Sequence, residues 1–293
     1  MPVSNFSLGT DVAGETSPMV APGKTGLRRV GIISFKDTKM MPLDSKARFS
    51  SRVANYVKYR PSYPSAVLDL LVSRLGLSAS SVIADVGSGT GISTALLLQS
   101  GATVFAIEPN REMREAAEVQ IGAASGFRSV DAAAEVTGLA DSSVDLVVCC
   151  QAFHWFDFEL ARAEFRRILR GDRWVALVWN DRAVAGSNFI EGYETLLKTY
   201  SPEYLDVKHK DLDGSSIEPF FLAGTMTMSS FPNSQRFDYE GLEGRLLSSS
   251  YAPVPGDPGY EGLIEGLRDL FARYASGGLV EFPYDTKVFL GRV

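Results

Sequence analysis

The sequence predicts an α/β fold: a doubly wound, mostly parallel sheet with helices on both faces and an antiparallel C-terminal strand at its edge. Three observations carry this. From residue 65 to about residue 180, short apolar runs alternate with stretches of helical period, the pattern of a parallel sheet built from βαβ units. One run, VDLVVCC at 144–150, is apolar almost without a break, as expected of a strand buried on both faces. In the last stretch, LVEFPYDTKVFLGR, Val280, Phe282, Tyr284, Thr286, Val288 and Leu290 alternate with other residues, which fits an antiparallel strand. The internal Pro283 favours an edge position for it.

Along the chain, VIADV (82–86) reads as a short buried strand, ISTALLLQS (92–100) as a helix, and Gly101 as its left-handed C-cap. TVFAIE (103–108) is the next strand, and Asn110 offers an N-cap to a helix ending near Gln120. FRSVD (127–131) is a weaker third strand. After the fourth strand, Asp157 caps a helix whose Phe158, Ala161, Phe165, Ile168 and Leu169 share one side. RWVALVW (173–179) is the fifth strand. The rhythm then breaks: helices are expected near 187–199 and 259–275, with a polar stretch between them and a PVPGDPG loop. Residues 181–278 are therefore read as a helical region that binds an acceptor. Residues 1–40, rich in Ser, Gly, Pro and Thr and without sustained period, read as a disordered leader before a domain at 41–293. Met40 and Met41 stand directly before the patterned chain, so a start assigned too far upstream and a genuine tail both fit.

Composition narrows the function. The net charge of −6 and the lack of a clustered Lys/Arg block argue against a nucleic-acid partner. No apolar run approaches the ~18 residues of a membrane span. The two cysteines, Cys149 and Cys150, are neighbours that a strand turns to opposite faces, so they read as core thiols in a reducing cytosol. Two histidines and two adjacent cysteines offer no metal-ligand spacing. His209 reads as a solvated loop residue. Oligomeric state is not readable.

The chemistry sits in ADVGSGTGIS, residues 84–93. Gly87, Gly89 and Gly91 follow a strand that ends near an acid, Asp85, and such a turn lets a ligand approach the backbone closely. A phosphate loop is excluded, because no Gly-Lys-Ser/Thr follows. The dinucleotide pattern G-x-G-x-x-G is missed by one residue, since the spacing here is G-x-G-x-G. Glu108, at the end of the second strand, can accept both hydroxyls of a ribose, which suits NAD and adenosyl ligands alike.

Together with IEPN (107–110), AAEVTGLADSSVDLV (133–147), QAFHWFD (151–157), the LRGDRW strand entrance (169–174) and KYRPSYP (58–64), the loop resembles the class I S-adenosylmethionine-dependent methyltransferases. Within them the chain is similar to the small-molecule branch of trans-aconitate-methyltransferase-like (type 11) proteins. The resemblance runs from about Arg48 to the C-terminus. It implies a Rossmann-like seven-stranded three-layer sandwich, S-adenosyl-L-methionine as cofactor, and a small-molecule acceptor with a carboxylate or hydroxyl oxygen favoured.

By the same resemblance, Asp85 orients the loop toward the methionine amino end, and Gly87, Ser88, Gly89 and Gly91 line the methionyl and ribose part. Glu108 meets the ribose, Pro109, Ala134 and Glu135 the adenine, and Gln151 and Phe153 the sulfonium region. Tyr59 or Arg60 meets the methionine carboxylate. Ala133 stands where many relatives carry an Asp, and Gly171-Asp172-Arg173 where they carry Pro-Gly-Gly. Phe153, Trp155 and Phe156 offer aromatic faces to a sulfonium methyl, with core filling as the competing role. His154 is read either as a general base or as a structural histidine. Arg245 and SSSYAP (248–253) are candidate walls for an acidic acceptor. Two rival readings remain at this level: an NAD(P)-dependent oxidoreductase on the same sheet, and a SAM-binding protein without turnover.

Overall fold

The computed structural model of the chain describes residues 53–208 and 214–293; the expected leader and His209 lie outside the described residues. Helices α1 (Val53–Tyr59) and α2 (Ser65–Leu75) lead into strand β1 (Val82–Val86), helix α3 (Ile92–Leu97), strand β2 (Thr103–Ile107), helix α4 (Arg111–Ile121), strand β3 (Phe127–Val130) and strand β4 (Val144–Cys150). Helix α5 (Phe158–Ile168) then runs into strand β5 (Leu169–Arg182). Helices α6 (Asn188–Tyr200), α7 (Glu203–Lys208) and α8 (Gly214–Ile217) precede strand β6 (Thr227–Phe237), helices α9 (Tyr239–Leu247) and α10 (Tyr260–Tyr274), and strand β7 (Val280–Arg292).

These strands form one seven-stranded sheet in the order β3-β2-β1-β4-β5-β7-β6. The first five are parallel to their neighbours, and β7 pairs antiparallel with both β5 and β6. The Rossmann-like expectation therefore holds, with one correction. The C-terminal strand β7 is not the edge; β6 is. Pro283 is tolerated inside the sheet because its carbonyl accepts from the Ala183 N–H, just past the end of β5. Its own nitrogen faces that same side, where the β5 ladder has already stopped. Strand β6 is not readable from its residues: TMSSFPNSQRF is mostly polar, interrupted by Pro232 and exposed or partly buried up to the buried Phe237, as an edge strand can be.

The local reasons for the elements are those the residues suggest. The side chains of Asn110 and Asp157 accept from the N–H groups of Met113 and Leu160, each cap contributing about 1 kcal/mol. Gly101 closes the turn after α3 with φ of 80°. Residues of β4 alternate between two cores. Val147 and Cys149 meet α5 through Phe165 and Ile168, while Leu146 and Val148 meet α2 and α3 through Leu71 and Leu97. A third core joins α6, α9 and α10 beneath β7, around Tyr193, Leu242, Leu263 and Phe282. The unexpected helix α9 carries Gly241 and Gly244, poor helix formers kept by packing: any side chain on Gly244 would overlap the Tyr59 ring.

Two features of the sheet position the site. Strands β1 and β4 are neighbours while β2 lies on the other side of β1, so the chain reverses its winding at the carboxyl end of β1, where such sheets bind ligands. Further on, β5 continues four residues past Val178, the partner of the last β4 residue, and stays paired with β7 through Arg182↔Tyr284. Because β6 pairs along the same stretch of β7, this three-stranded extension rises past the parallel strands as a wall. The Gly171-Asp172-Arg173 variation sits at the opposite end, where Gly171 and Arg173 take positive φ in a bulge of β5.

Candidate functional site

Two connected cavities open at the carboxyl ends of the strands. The first is a cleft with about 850 Å³ of space including its mouth, lined by Gly87, Gly89, Glu108, Pro109, Asn110, Met113, Ala133, Ala134, Glu135 and Phe156. The second is a chamber of about 2410 Å³, again with its mouth, beneath the β5–β7 wall. Tyr56, Gly87, Gly89, Cys150, Gln151 and Trp155 line both, so cleft and chamber meet over the glycine turn.

The turn is built for close approach. Gly87 has φ of 72°, and a methyl group on it would overlap the Ala152 Cβ, because the loop after β4 crosses directly over it. Gly89, with φ of 57°, has nothing within 4 Å of where a Cβ would point, so that side faces open cleft. Gly91 differs: a side chain there would strike Ile121 and Ala117 of α4. Its missing side chain serves helix packing, and Gly91 is not among the residues that line either cavity.

Glu108 is 9% exposed, and its carboxylate bridges two loops. Oε2 accepts from the Gly89 N–H at 3.0 Å and Oε1 from the Asn110 N–H at 2.7 Å. Each oxygen keeps a lone pair, which is what a ribose diol requires. Burial raises its pKa, and the two backbone donors oppose that. Asp85 is fully buried and lines neither cavity; it acts behind the turn. Its Oδ2 accepts from Ser93 Oγ at 2.7 Å and Thr94 Oγ1 at 2.6 Å, pinning the first turn of α3. Its Oδ1 has no partner, and burial lifts its pKa to about 6. Ser88 Oγ and Thr90 Oγ1 are likewise buried without hydrogen bonds, although both residues line the chamber. Buried polar atoms without partners at a cavity wall fit a ligand that completes them.

The remaining predicted residues divide. Pro109, Ala134 and Glu135 reach the cleft, with Glu135 Oε1 also accepting from the Asp157 N–H at 2.8 Å. Gln151, at φ of 57°, lines both cavities and donates through Nε2 to the Asn180 carbonyl. His154 lines the chamber with its ring 4.8 Å from that of Trp155. Phe153 does not reach either cavity: it is 4% exposed and packs edge-on against Phe220 at 4.6 Å. Tyr59 is also outside, with its ring against α9 and its hydroxyl donating to Glu240 at 3.0 Å. Two nearby aromatics do reach the site: Tyr56, four residues before Arg60 on the same helical side, and Tyr63.

Of the far wall the sequence points to Arg245 and to SSSYAP, of which Ser250 and Tyr251 line the chamber, but not to Arg182. Arg182 lies there, paired to Glu194 at 2.6 Å and to the Tyr204 hydroxyl at 2.8 Å. Arg245, 5% exposed, donates to Tyr284 at 3.1 Å and to Ser249 at 3.0 Å. Arg60 donates to the Ser248 carbonyl at 2.8 Å and lies over the Tyr56 ring. Burial and the neighbouring Arg245 guanidinium lower the Arg60 pKa.

The comparisons with known proteins agree with this geometry. A family profile for a methyltransferase domain matches residues 84–177. An uncharacterized methyltransferase-like protein of Schizosaccharomyces pombe is 30% identical over 210 residues, covering 69% of this chain and 77% of the relative. An uncharacterized methyltransferase of Mycobacterium tuberculosis is 38% identical over 139 residues, 47% of this chain and 54% of its own length. A solved structure from Anaeromyxobacter dehalogenans, provisionally named a type II methyltransferase, shares the fold with a TM-score of 0.61 at 21% identity, covering 80% of this chain and 98% of that one. The chain belongs to the class I S-adenosylmethionine-dependent methyltransferases, and S-adenosylmethionine is its cofactor. The dinucleotide-dependent oxidoreductase reading falls with that. Among the described residues, no helix is long and apolar enough to cross a membrane, and no three His, Cys, Asp or Glu cluster as metal ligands.

Proposed function

We propose that the protein transfers a methyl group to an oxygen of a small acidic molecule held in the chamber, with a carboxylate favoured over a hydroxyl. The observation that carries this reading is the junction: a nucleoside-sized cleft opens over the glycine turn into a chamber walled by guanidinium and phenol groups.

Glu108 would hold the ribose, Pro109, Ala134 and Glu135 the adenine region, and Gly87 and Gly89 the passage between nucleoside and methionine. Ser88 and Thr90 would supply unpartnered buried oxygens on the methionine side, with Asp85 fixing the turn from behind. When bound, S-adenosylmethionine supplies an electrophilic methyl carbon: an O–CH3 bond to the acceptor forms as the S–CH3 bond breaks, and S-adenosylhomocysteine leaves. The chain's part is to fix the acceptor opposite that bond, which makes the step effectively unimolecular. Trp155 at the junction, and Phe156 on the cleft side of it, would offer aromatic rings to the sulfonium, each contributing on the order of 1 kcal/mol. A carboxylate acceptor arrives ionised and needs no base. For a hydroxyl, His154 is the chamber group that takes the proton. The trans-aconitate-like branch and a cytosolic setting belong to the same reading; two unpaired thiols, Cys149 and Cys150, support the latter.

The test is transfer of labelled methyl from S-adenosylmethionine to a panel of small carboxylic acids, phenols and amines. Base-labile methyl esters are expected. Label appearing only in amines or thiols would overturn the oxygen assignment.

A further inference from the structure

At about 2410 Å³ with its mouth, against about 850 Å³ for a cleft of nucleoside size, the chamber is larger than a short acid requires. It also opens on both faces of the sheet. Strand β4 stops at Cys150, opposite Val178, so from Trp179 onward that edge of β5 has no ladder partner among the described residues. Successive residues of β5 point to opposite faces. Leu177 and Trp179 meet the core under α5, together with Phe289, whereas Ala176 and Val178 meet the core under α2 and α3. Trp179 and Asp181 therefore line the α5 side of the chamber and Asn180 and Arg182 the other side. The α5 side is an aromatic lobe to which methyl transfer assigns no role. Phe153 and Phe289 meet the Trp179 ring at near right angles, with centroids 6.4 and 5.9 Å away, yet that ring stays only half-buried. The turn Phe153–Trp155 brings His154 and Trp155 to the same chamber.

We infer that Trp179 and Phe289 form a subsite for a flat aromatic body of the acceptor, so that the preferred acceptors are aryl acids. This deepens the proposed function and rests on it. Rings already fixed by packing lose little freedom when a further ring meets them. Offset and edge-to-face contacts then favour an aromatic partner over a saturated one of equal size. Charge orients the ligand. In this lobe Asp181 and Asp285 stand opposite each other in the ladder, and Lys287 is bound to Asp181 at 2.6 Å. A carboxylate of the acceptor placed there would face like charge, whereas an uncharged ring would not. The acid end is thereby left at the junction, by Gln151 and Trp155, where the methyl is delivered. The chamber's arginines lie on the other face, Arg182 on β5 and Arg245 through Tyr284 of β7, so the subsite does not draw on them.

Calorimetry on the full chain loaded with S-adenosylhomocysteine compares acids of one skeleton in aromatic and saturated form: benzoate with cyclohexanecarboxylate, and naphthoate with its fully hydrogenated form. At least one aryl acid should bind about three- to tenfold tighter than its saturated counterpart, the margin that ring–ring contacts add beyond buried area. In Trp179→Leu that preference should vanish. Affinity for S-adenosylhomocysteine should change less than about threefold there, because Trp179 lines only the chamber. Phe289→Leu, which keeps an apolar side chain at a buried position, is the second variant should Trp179→Leu fail to fold. Equal affinity for the aromatic and saturated forms, with either accepting labelled methyl, would overturn this inference and leave the proposed function standing. A preference for aryl acids that survives the substitution would place the ring elsewhere and overturn it as well. If S-adenosylhomocysteine binds but no acid of either series binds or is methylated, the proposed function falls and the subsite with it.

Discussion

The cleft and the chamber lie side by side on one sheet and are satisfied in opposite ways. In the cleft, the key charge is answered by the backbone: Glu108 accepts from Gly89 and Asn110, so the loop is already shaped when a nucleoside arrives. In the chamber, two arginines have no counter-charge among the described residues and are held by a carbonyl and hydroxyls. The parallel half of the sheet thus presents a preformed site for a constant ligand. The chamber presents guanidinium charge that, under the proposed function, an acidic acceptor would complete. Preorganisation favours affinity for the first, and a demand for complementary charge favours selectivity for the second.

The sharpest way to break this contrast is at the glycine turn. Gly87→Val places a branched side chain at positive φ and against Ala152, so both loop geometry and cleft should be lost. Calorimetry should find affinity for S-adenosylhomocysteine reduced about a hundredfold or more, on the order of 3 kcal/mol. Next is Glu108→Gln. Replacing a charged acceptor by a neutral one should weaken the same ligand about tenfold or more, since hydrogen bonds to charged groups contribute roughly 1.5–3 kcal/mol. An unchanged affinity would remove Glu108 from the ribose.

A smaller pair of effects separates two neighbouring aromatics. Phe153→Leu should lower stability by about 1–2 kcal/mol through lost packing on Phe220, with little effect on turnover once folded. Trp155→Leu should leave the unfolding midpoint nearly unchanged and slow methyl transfer. Equal behaviour of the two would mean that both are core, or that both face the reaction.

The smallest effect is a slope with pH. Asp85 has a folded pKa raised to about 6 by burial, against an ordinary value near 4. Between those values the folded protein binds more protons than the unfolded chain, so this group makes stability fall as pH rises from about 4 to 6. Asp85→Asn should flatten that part of the pH–stability curve in the ligand-free protein. Glu164 works in the other direction. The Arg167 guanidinium, with the Thr137 N–H and hydroxyl, holds it down to about 2. Its stabilisation is present above about 4.5 and is lost as pH falls toward 2.

The same contrast governs what could be read in advance. The parallel half was legible because buried βα units leave local signatures: apolar runs, caps such as Asn110 and Asp157, and a glycine turn at a switch point. The roles inside that turn were less so. Gly91 and Gly87 look alike in sequence, yet one avoids a helix and the other a loop. Phe153 and Trp155, two residues apart, diverge because a short 3-10 turn sends one into the core and the other to the junction. In the antiparallel half the alternation of β7 and the helices near 187–199 and 259–275 were legible, and the rest was hidden. Strand β6 has the composition of a loop, since an edge strand needs little apolar surface, and α9 carries glycines that its packing explains, Gly244 by contact with Tyr59. Arg60 and Arg245 are 185 positions apart, and nothing local indicates that Ser248 and Ser249 bring them together.

The division between the two halves is tested most directly by one pair of affinities for S-adenosylhomocysteine, in Glu108→Gln and in Arg245→Met, each against the wild type. The expected result is a loss of about tenfold or more in the first and less than about threefold in the second. A loss in Arg245→Met as large as that in Glu108→Gln, or none in Glu108→Gln, would contradict the assignment of the nucleoside to the cleft and of Arg245 to the acceptor.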